Sequence, residues 1–336
     1  MEKIVANPFQ AGGRLRNPKH FVGRDSELRQ ILSRVANMDN VSVVGPRRIG
    51  KSSLLHHIVA TGQQRLNQSY QFYYLDMQPL DSAEEFYNRA CKAIANEPGQ
   101  SHDDLKTAIE GKKIVLCLDE FEKSVEADFG AEFFDEMRSL AQTGNLALII
   151  ATKVPLNQIY LRYQGLTSGF PNIFTKVELG ELTEADARSL VAKSDCFNRE
   201  EADFILRLAG AHPYWLSFVS ARLYDAKQEA TVRGGGKVDF NRIQRLVEDE
   251  FNGATANGAV APDQARRPAA TGRRSVEGNS GAIITSLLLL LAGVLFGKLS
   301  INSLDPTAGL LVSGGLILIS LALFVLRGVN WSGGTR

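Results

Sequence analysis

The sequence predicts an α/β fold: a mostly parallel sheet with a small helical lid, followed by two transmembrane helices. Three observations carry this prediction. Short β-branched and apolar runs alternate with helical segments up to about residue 180, as in successive βαβ units. From Thr183 onward the pattern becomes wholly helical. Two stretches near the C-terminus, 278–297 and 306–326, contain no charged side chain.

The predicted sheet has five strands. Each is a short run rich in apolar or aromatic residues, and helical patterns separate most of the runs. The strands are expected at 41–44, 71–76, 114–118, 146–151 and 174–179. The clearest helices of this part are expected at 52–60, 82–95 and 131–143.

The most specific motif follows the first predicted strand. Residues 45–52 read GPRRIGKS, which has the G-x-x-x-x-G-K-S spacing of a phosphate-binding loop. Four residues between two glycines let several backbone N–H groups converge on one anion, at the positive end of the next helix. An ordinary glycine-containing turn, the alternative, would not need Lys and Ser at the end of the motif. The residues expected to bind the nucleotide are Gly45, Pro46, Arg47, Arg48, Ile49, Gly50, Lys51, Ser52 and Ser53.

A second motif supports the first. Residues 114–118 form an apolar run that ends in Asp119 and Glu120, as expected for a buried parallel strand whose carboxyl end faces a ligand. Asp119 and the Ser52 hydroxyl are expected to hold Mg²⁺, while Lys51 contacts the β- and γ-phosphates. Glu120 is expected to orient and deprotonate the attacking water. The alternative for the two carboxylates is a solvated strand end. The predicted cofactors are ATP and Mg²⁺.

The composition limits the size of the core, the class of partner and the compartment that can be expected. The chain has 336 residues, of which 44% are apolar and 22% charged, enough for one sizeable core and a small second unit. The formal net charge of +1 gives no general attraction to nucleic acid, so no nucleic-acid partner is predicted. Three cysteines without metal or C-x-x-C spacing are expected to be buried thiols of a reducing compartment. The histidines lack ligand spacing, and residues 1–16 lack the apolar segment of a secretory signal.

The two uncharged stretches predict a membrane hairpin. Each is about 20 residues long, enough for a helix to cross a bilayer. Spans are expected at 281–301 and 306–327. Two buried helices of a soluble core, the alternative, would need other apolar elements to cover them. Basic residues flank the two uncharged stretches on the side of the termini, so the ATPase region and both termini are expected in the cytoplasm. These residues are Arg266, Arg267, Arg273, Arg274, Arg327 and Arg336, against Lys298 alone near the loop.

Helix-capping residues and local composition predict the domain boundaries and the helix starts of the lid. Residues 1–180 are expected to form the α/β core, 181–251 a helical lid and 252–280 a flexible tether poor in large apolar residues. The tether arginines are either topology determinants or contacts to anionic lipid. Helix starts in the lid are expected at Thr183 with Asp186, Asn198 with Glu201, Pro213 and Asp239.

Several motifs in order resemble the AAA+/STAND ATPases, especially their archaeal-type ATPase branch. They are NPF at 7–9, FVGR at 21–24 followed by EL at 27–28, the phosphate-binding loop, LDE at 118–120 and AHPY at 211–214. The resemblance covers about residues 7–251. The extra strand before the Asp-Glu strand, together with Glu120, also suggests the additional-strand, catalytic-glutamate (ASCE) division of P-loop NTPases.

The resemblance implies further site residues. Val22 and Gly23 match the segment that packs on adenine in the family, although core packing is an equal alternative for Val22 and for the neighbouring Phe21. Thr152 and Lys153 match the sensor of the γ-phosphate, with lysine where arginine is frequent. His212 and Pro213 match the Gly-His-Pro motif that opens a lid helix, with Ala211 in place of glycine. For His212 the alternative to a nucleotide contact is a simple helix N-terminal residue.

Oligomer contacts and biological role stay open at this level. The arginine that would reach a neighbouring subunit is not fixed, with Arg138 and Arg162 as candidates by position. Arg47 and Arg48 contact phosphate, contact a partner or are exposed loop charges. The family resemblance favours a nucleotide-controlled, oligomerising switch in signalling or defence, with an unknown protein or ligand as its trigger. An ATP-driven motor or assembly factor for a membrane or secretion complex, and an ATP-binding membrane protein with little turnover, are the alternatives.

Overall fold

Five parallel strands form the sheet that the sequence predicts, in a computed structural model that describes residues 6–10, 12–15, 17–162, 169–232 and 238–256. Neighbouring strands in the sheet follow the order β2-β3-β4-β1-β5, and every pairing is parallel. All five predicted strands are confirmed, each within one residue at either end. The strands are β1 (Asn40–Val44), β2 (Tyr70–Asp76), β3 (Lys113–Asp119), β4 (Leu146–Thr152) and β5 (Phe174–Glu178).

Seven α-helices accompany the sheet within the described residues. The helix after the phosphate-binding loop is longer than predicted and runs to Arg65. Ser82 and Ser101 cap two of the helices, because each hydroxyl accepts a hydrogen bond from a backbone N–H of the first turn. The helices are α1 (Asp25–Val35), α2 (Lys51–Arg65), α3 (Ala83–Ala95), α4 (His102–Ile109), α5 (Lys123–Glu126), α6 (Gly130–Ala141) and α7 (Leu156–Arg162).

Both faces of the sheet are buried, as a continuous apolar sequence in a parallel strand requires. On β3, Ile114, Leu116 and Leu118 belong to the core on one face, while Val115 and Cys117 belong to the core on the other. Strand β4 is buried along its entire length. The central strands are therefore fixed from both sides, and their carboxyl ends form a rigid edge.

Four helices form a lid with its own core. They are α8 (Glu184–Ala192), α9 (Arg199–Ala209), α10 (Pro213–Val232) and α11 (Phe240–Ala256). The predicted caps are confirmed, since Thr183, Asn198 and Asp239 each accept a hydrogen bond from a backbone N–H in the first turn of α8, α9 and α11. Buried side chains from α8, α9, α10 and α11 pack together, including Val191, Ile205, Leu216, Leu223 and Val247.

The predicted start of the tether is corrected. Residues 252–256 continue helix α11, whereas the sequence pattern assigned them to a flexible tether. Their composition is compatible with a helix, because the strong helix formers Ala254 and Ala256 stand beside the weaker ones Asn252, Gly253 and Thr255. The rest of the tether and the two predicted spans lie outside the described residues. Among the helices that the structure describes, none combines the length and apolar character that crossing a membrane requires.

Candidate functional site

The phosphate-binding loop joins β1 to α2 at the carboxyl edge of the sheet. Gly50 has a φ of +103°, which a residue with a side chain rarely adopts, and it lies immediately before α2. At the other end of the loop, the backbone N–H of Gly45 donates to the carbonyl of Thr152 at 3.2 Å. The loop is therefore anchored on β4 and delivers the N-terminus of α2 to the site.

Lys51 is folded inside this loop. Its Nζ donates to the carbonyl oxygens of Gly45 at 2.7 Å and Pro46 at 3.0 Å. Burial lowers the pKa of Lys51, and the nearby carboxylates of Glu120, Glu122 and Asp119 oppose that shift. A buried ammonium next to loop carbonyls and several acids is a charge placed for an anion that enters the loop.

Asp119, the predicted Mg²⁺ ligand, is buried at the end of β3. The hydroxyl of Tyr74 on the neighbouring strand β2 donates to Oδ2 of Asp119 at 2.8 Å. The backbone N–H of Glu120 donates to Oδ1 at 3.0 Å. Burial raises the pKa of Tyr74, and the Asp119 carboxylate raises it further, so Tyr74 stays a hydrogen-bond donor. Tyr74 fixes the rotamer of the predicted metal ligand.

Glu120 and Lys153, two predicted catalytic residues, are in direct contact. Lys153 Nζ lies 2.8 Å from Oε2 of Glu120 and 2.9 Å from Oε1 of Glu122. Burial alone would raise the pKa of Glu120, but the ion pair with Lys153 and the charges of Lys51 and Arg47 lower it. The ion pairs likewise raise the pKa of Lys153 against the effect of burial. The three side chains form a charged cluster at the site.

A cavity of about 550 Å³ lies between the phosphate-binding loop, the start of α10 and the N-terminal residues. This volume suits a nucleotide-sized ligand. The predicted residues that line the cavity are Val22, Arg47, Arg48, Ile49, Gly50, Lys51, Ser52, Ser53, Glu120 and Pro213. The other predicted residues are not among those that line the cavity: Gly23, Gly45, Pro46, Asp119, Thr152, Lys153 and His212.

Two of these outer residues have other contacts. The Thr152 hydroxyl donates to the carbonyl of Val154 at 2.8 Å, and the residue is fully buried. His212 lies immediately before α10, where its carbonyl accepts from the Leu216 N–H at 3.0 Å. Its imidazole is buried, and Nδ1 has no hydrogen-bonding partner among the described residues. The structure thus places His212 at the N-terminus of α10 and not among the residues that line the cavity.

The segment at 21–24 joins the core, the loop and the lid. Arg24 is buried and donates to the carbonyl oxygens of Gly180 at 2.5 Å and Ile49 at 3.3 Å. Gly23 has a φ of +72°, and a Cβ atom there would lie 2.6 Å from Cγ of Asp186 on α8. Phe21 lines the cavity and also stacks on His57, with 4.3 Å between ring centroids. Cavity lining and core packing therefore coexist at this segment.

The phosphate-binding loop also contacts the lid directly. The guanidinium of Arg48 lies over the Tyr214 ring of α10, 4.2 Å from its centroid. Arg48 Nη1 lies 3.2 Å from Oε1 of Glu250 on α11, and the Tyr214 hydroxyl donates to the same oxygen at 2.7 Å. One loop arginine thus joins two lid helices.

Arg138, one of the two candidates for an intersubunit arginine, does not line this cavity. Arg138 lies on α6, is half-buried and packs against Gly169, where an added Cβ would lie 2.6 Å from Nη1. Its Nε is buried without a hydrogen-bonding partner among the described residues. The side chain of Arg162 lies outside the described residues.

Sequence reasoning missed several lining residues. They come from the N-terminal residues, from the end of β2 and from the lid, and they have no spacing relative to the loop that could reveal them. The missed residues are Gln10, Gly12, Gly13, Arg14, Leu15, His20, Arg24, Gln78, Leu182, Leu190, Tyr214 and Ser217. Three runs gave a signal: NPF at 7–9 marks the N-terminal segment, and FVGR at 21–24 and AHPY at 211–214 contain the lining residues Arg24 and Tyr214.

No cluster of three or more His, Cys, Asp or Glu side chains suited to a metal occurs among the described residues. The predicted Mg²⁺ site does not need such a cluster. Mg²⁺ bound with a nucleotide takes most of its ligands from phosphate oxygens and water. Ser52 on α2 and Asp119 on β3 both lie at the carboxyl edge of the sheet and supply the hard oxygen donors that Mg²⁺ prefers.

A phosphate-binding loop after the first strand, an acidic pair after the third and a parallel five-stranded sheet together define a P-loop NTPase. Residues 14–198 match the family described as novel STAND NTPase 1 (nSTAND1). This match spans 185 of the 336 residues, and the chain therefore belongs to that family. The resemblance to STAND ATPases is confirmed.

Solved structures share the fold. The chain is similar to the Walker-type ATPase of Pyrococcus abyssi, with a TM-score of 0.57, 15% identity and 92% of each chain covered. It is also similar to the Orc1 protein of Aeropyrum pernix solved in complex with DNA, with a TM-score of 0.51, 12% identity and coverage of 82% of this chain and 72% of Orc1. Domain III of the replication initiation protein DnaA of Thermotoga maritima gives a TM-score of 0.50 and 16% identity, with 69% and 95% covered. No curated protein matches the chain.

Proposed function

We propose that this chain is an ATP-hydrolysing switch: it binds ATP with Mg²⁺, hydrolyses it slowly, and changes lid contacts and assembly with its nucleotide state. The observation that carries the proposal is the contact of Arg48 in the phosphate-binding loop with Tyr214 and Glu250 in the lid. Arg48 lines the cavity and also contacts two lid helices. A phosphate that draws Arg48 toward itself would therefore change the contacts of the lid.

The proposed binding mode uses the elements at the carboxyl edge of the sheet. Backbone N–H groups of the loop and the N-terminus of α2 receive the phosphates, and Lys51 leaves the Gly45 and Pro46 carbonyls to contact them. Ser52 and Asp119 would hold Mg²⁺, which would neutralise charge on the phosphates. Apolar side chains that line the cavity, including Val22 and Leu190, accommodate the base.

The proposed reaction is hydrolysis of the terminal phosphoanhydride. Glu120 accepts a proton from a water molecule whose oxygen forms a bond to the γ-phosphorus. The bond between that phosphorus and the β–γ bridging oxygen breaks, and its electron pair leaves with ADP. The products are ADP and inorganic phosphate, and the proton passes from Glu120 to solvent. The lowered pKa of Glu120 keeps its carboxylate ionised, as a proton acceptor must be before the reaction.

The geometry of Glu120 favours slow turnover over a fast motor cycle. Its carboxylate is ion-paired with Lys153, and its backbone has a φ of +52°. The ion pair stabilises the ionised carboxylate and so makes Glu120 a weaker base, which slows activation of the water. A switch that must persist in its ATP-bound form benefits from this delay.

The proposal includes a membrane hairpin, which rests on the sequence alone. Helix α11 contains Glu250 and ends at Ala256, just before the remainder of the predicted tether. The predicted spans 281–301 and 306–327 would anchor the ATPase to a lipid bilayer, with the ATPase on the cytoplasmic side. Nucleotide-dependent gathering of several chains would then bring their hairpins together. The trigger is a protein or ligand that the sequence does not identify.

The decisive experiment is size analysis of detergent-solubilised protein with ADP and with a non-hydrolysable ATP analogue. The expected result is a larger assembly with the analogue. Glu250→Gln, which removes the charge that pairs with Arg48, should weaken this nucleotide dependence, whereas exposed Asp249→Asn on the same helix should leave it unchanged. Equal size with both nucleotides, together with fast partner-stimulated hydrolysis, would reject the switch in favour of a motor.

A further inference from the structure

The N-terminal strap, defined here as the described residues 6–10 and 12–15, crosses from the lid to the core beside the nucleotide cavity. At its lid end, Asn7 Nδ2 donates to the Ala221 carbonyl at 3.0 Å and to Oδ1 of Asp225 at 2.8 Å. The Phe9 ring stacks on Phe197, with 5.2 Å between centroids. These contacts fix the first part of the strap on helix α10 and on the connection between α8 and α9.

The strap is also held at its core end. The backbone N–H of Leu15 donates to Ser53 Oγ at 3.2 Å, one residue after the predicted Mg²⁺ ligand Ser52. Between the two ends, the Gln10 amide donates to the carbonyl of Gly12 at 2.9 Å and to that of Arg14 at 2.7 Å. The turn that carries Arg14 is thus closed by a side chain and anchored on α2.

The side chain of Arg14 points toward the metal end of the site. Its guanidinium lies over the Tyr74 ring, 5.3 Å from the centroid, and the hydroxyl of that ring donates to Asp119. Arg14 lines the same cavity as Lys51, Ser52 and Glu120. Arg14 is exposed and forms no salt bridge with a carboxylate among the described residues. An arginine held at this position has its charge available for a ligand.

We propose that Arg14 contacts the terminal phosphate of bound ATP and supplies, from within the same chain, the positive charge of an arginine finger. A planar guanidinium can donate two parallel hydrogen bonds to phosphate oxygens, and it is most effective where negative charge increases during phosphoryl transfer. The strap is pinned on both the lid and α2, so this charge does not require a second subunit. The inference rests on the proposed function and assigns one more residue to that site.

Structural support of Tyr74 is the competing role for Arg14, and the two roles predict different affinities. A contact to the terminal phosphate affects ATP and leaves ADP unaffected. A role in packing Tyr74 and Asp119 affects both nucleotides, since both share the loop and the metal. The ratio of the two affinities therefore separates the roles without any measurement of turnover.

The test compares full-length, detergent-solubilised wild type with Arg14→Ala and Arg14→Lys. Binding of ADP and of a non-hydrolysable ATP analogue is measured by displacement of a fluorescent nucleotide in the presence of Mg²⁺. Arg14→Ala should weaken the analogue roughly tenfold or more and keep ADP within about twofold of wild type. The affinity of Arg14→Lys for the analogue should lie between those of the wild type and Arg14→Ala. Arg29→Ala, at an exposed arginine on α1 outside the cavity, should change neither affinity.

Retained ADP binding shows that Arg14→Ala is folded and that its loop is intact. An equal loss of both nucleotides, or no loss of either, would overturn the role of Arg14 while leaving nucleotide binding itself in place. Failure of the wild type to bind either nucleotide would overturn the proposed function and this inference together. The two failures are therefore distinguishable in one assay.

Discussion

Lys153 Nζ lies 2.8 Å from Oε2 of Glu120, so the predicted sensor and the predicted catalytic base are joined as one ion pair. The same ammonium lies 2.9 Å from Glu122, whose side chain is only 8% exposed and makes no aligned hydrogen bond among the described residues. The charge of Lys153 is therefore the main compensation for a buried acid next to the site. Lys153 therefore both stabilises the fold at the carboxyl edge of the sheet and affects the protonation of the predicted base Glu120.

Replacement of Lys153 by methionine should lower both stability and turnover. Glu122 would lose the charge that compensates its burial, at a cost of about 2 kcal/mol, below the value for a fully buried pair because Lys153 is partly exposed. ATP should still bind, because the loop is unchanged. Denaturant unfolding and single-turnover hydrolysis measure the two effects. Lys176→Met, at an exposed ion pair with Glu178, is the control and should match wild type; identical behaviour of both variants would disprove the coupling.

Glu120→Gln should bind ATP and hydrolyse it roughly 10²–10⁴-fold more slowly, as expected for loss of a general base. Lys51→Ala should lose tight binding itself, because its ammonium is the buried cation that contacts the loop carbonyls. The measurements are equilibrium binding and phosphate release on the same preparations. Full turnover in Glu120→Gln would show that another group activates the water.

The strands and the phosphate-binding loop could be predicted because their signals are local. Continuous apolar runs and the G-x-x-x-x-G-K-S spacing specify conformation within a few residues, and all five strands and the loop are found where expected. The caps at Thr183 and Asn198 are equally local. Helix α11 was cut short at residue 251 because the glycine and asparagine near its end reduce helix propensity, yet it continues to Ala256.

The contacts that organise the site could not be predicted, because they join distant parts of the chain. Arg48 and Glu250 are 202 positions apart, and Asn7 and Asp225 are 218 apart. No periodicity links such positions, and only the docking of the lid and of the N-terminal strap on the core brings them together. Lys153 was assigned as a sensor by resemblance, but its pairing with Glu122 depends on the turn after β3.

Stability should depend on pH through His212. Burial lowers the pKa of His212 from 6.5 to about 4, and the nearby charge of Arg24 adds to the shift. The unfolded chain therefore binds a proton first, and the folded state loses stability as the pH falls from about 6.5 toward 4. Between about pH 7.5 and pH 5 the loss from this residue should be about 2 kcal/mol.

His212→Gln should remove this part of the pH dependence. Urea unfolding at the two pH values, compared between variant and wild type, isolates the contribution, because the other titrating groups are the same. The exposed His20→Gln serves as control and should retain the wild-type dependence. If His212→Gln lost as much stability on acidification as the wild type, the imidazole would not be held neutral in the fold.

The predicted hairpin orientation gives a labelling pattern. A cysteine at position 303, between the predicted spans, should react with a membrane-impermeant thiol reagent added outside intact cells, whereas cysteines at 275 and 332 should not. The substitutions are Ser303→Cys, Ser275→Cys and Ser332→Cys. Cys91 and Cys117 are buried and give little background, and Cys196 should be replaced. In intact cells, labelling at 275 and 332 but not at 303 would show the opposite orientation. If none of the three cysteines reacted even after permeabilisation, the result would argue against an accessible hairpin.

Hairpins of neighbouring chains should crosslink in the ATP-bound state. The predicted tether from 257 to 280 is too poor in large apolar residues to act as a rigid lever, so gathering of several chains is the available way for the ATPase to affect the spans. A flexible chain of this length has a root-mean-square reach of roughly 25–30 Å, so assembled ATPase domains would concentrate their hairpins. Gly293, Gly297, Gly314 and Gly315 allow close helix contact.

Disulfide crosslinking through Ser303→Cys should therefore increase with a non-hydrolysable ATP analogue over ADP, and Lys51→Ala should abolish the increase. Equal crosslinking in wild type and Lys51→Ala would reduce the hairpin to an anchor.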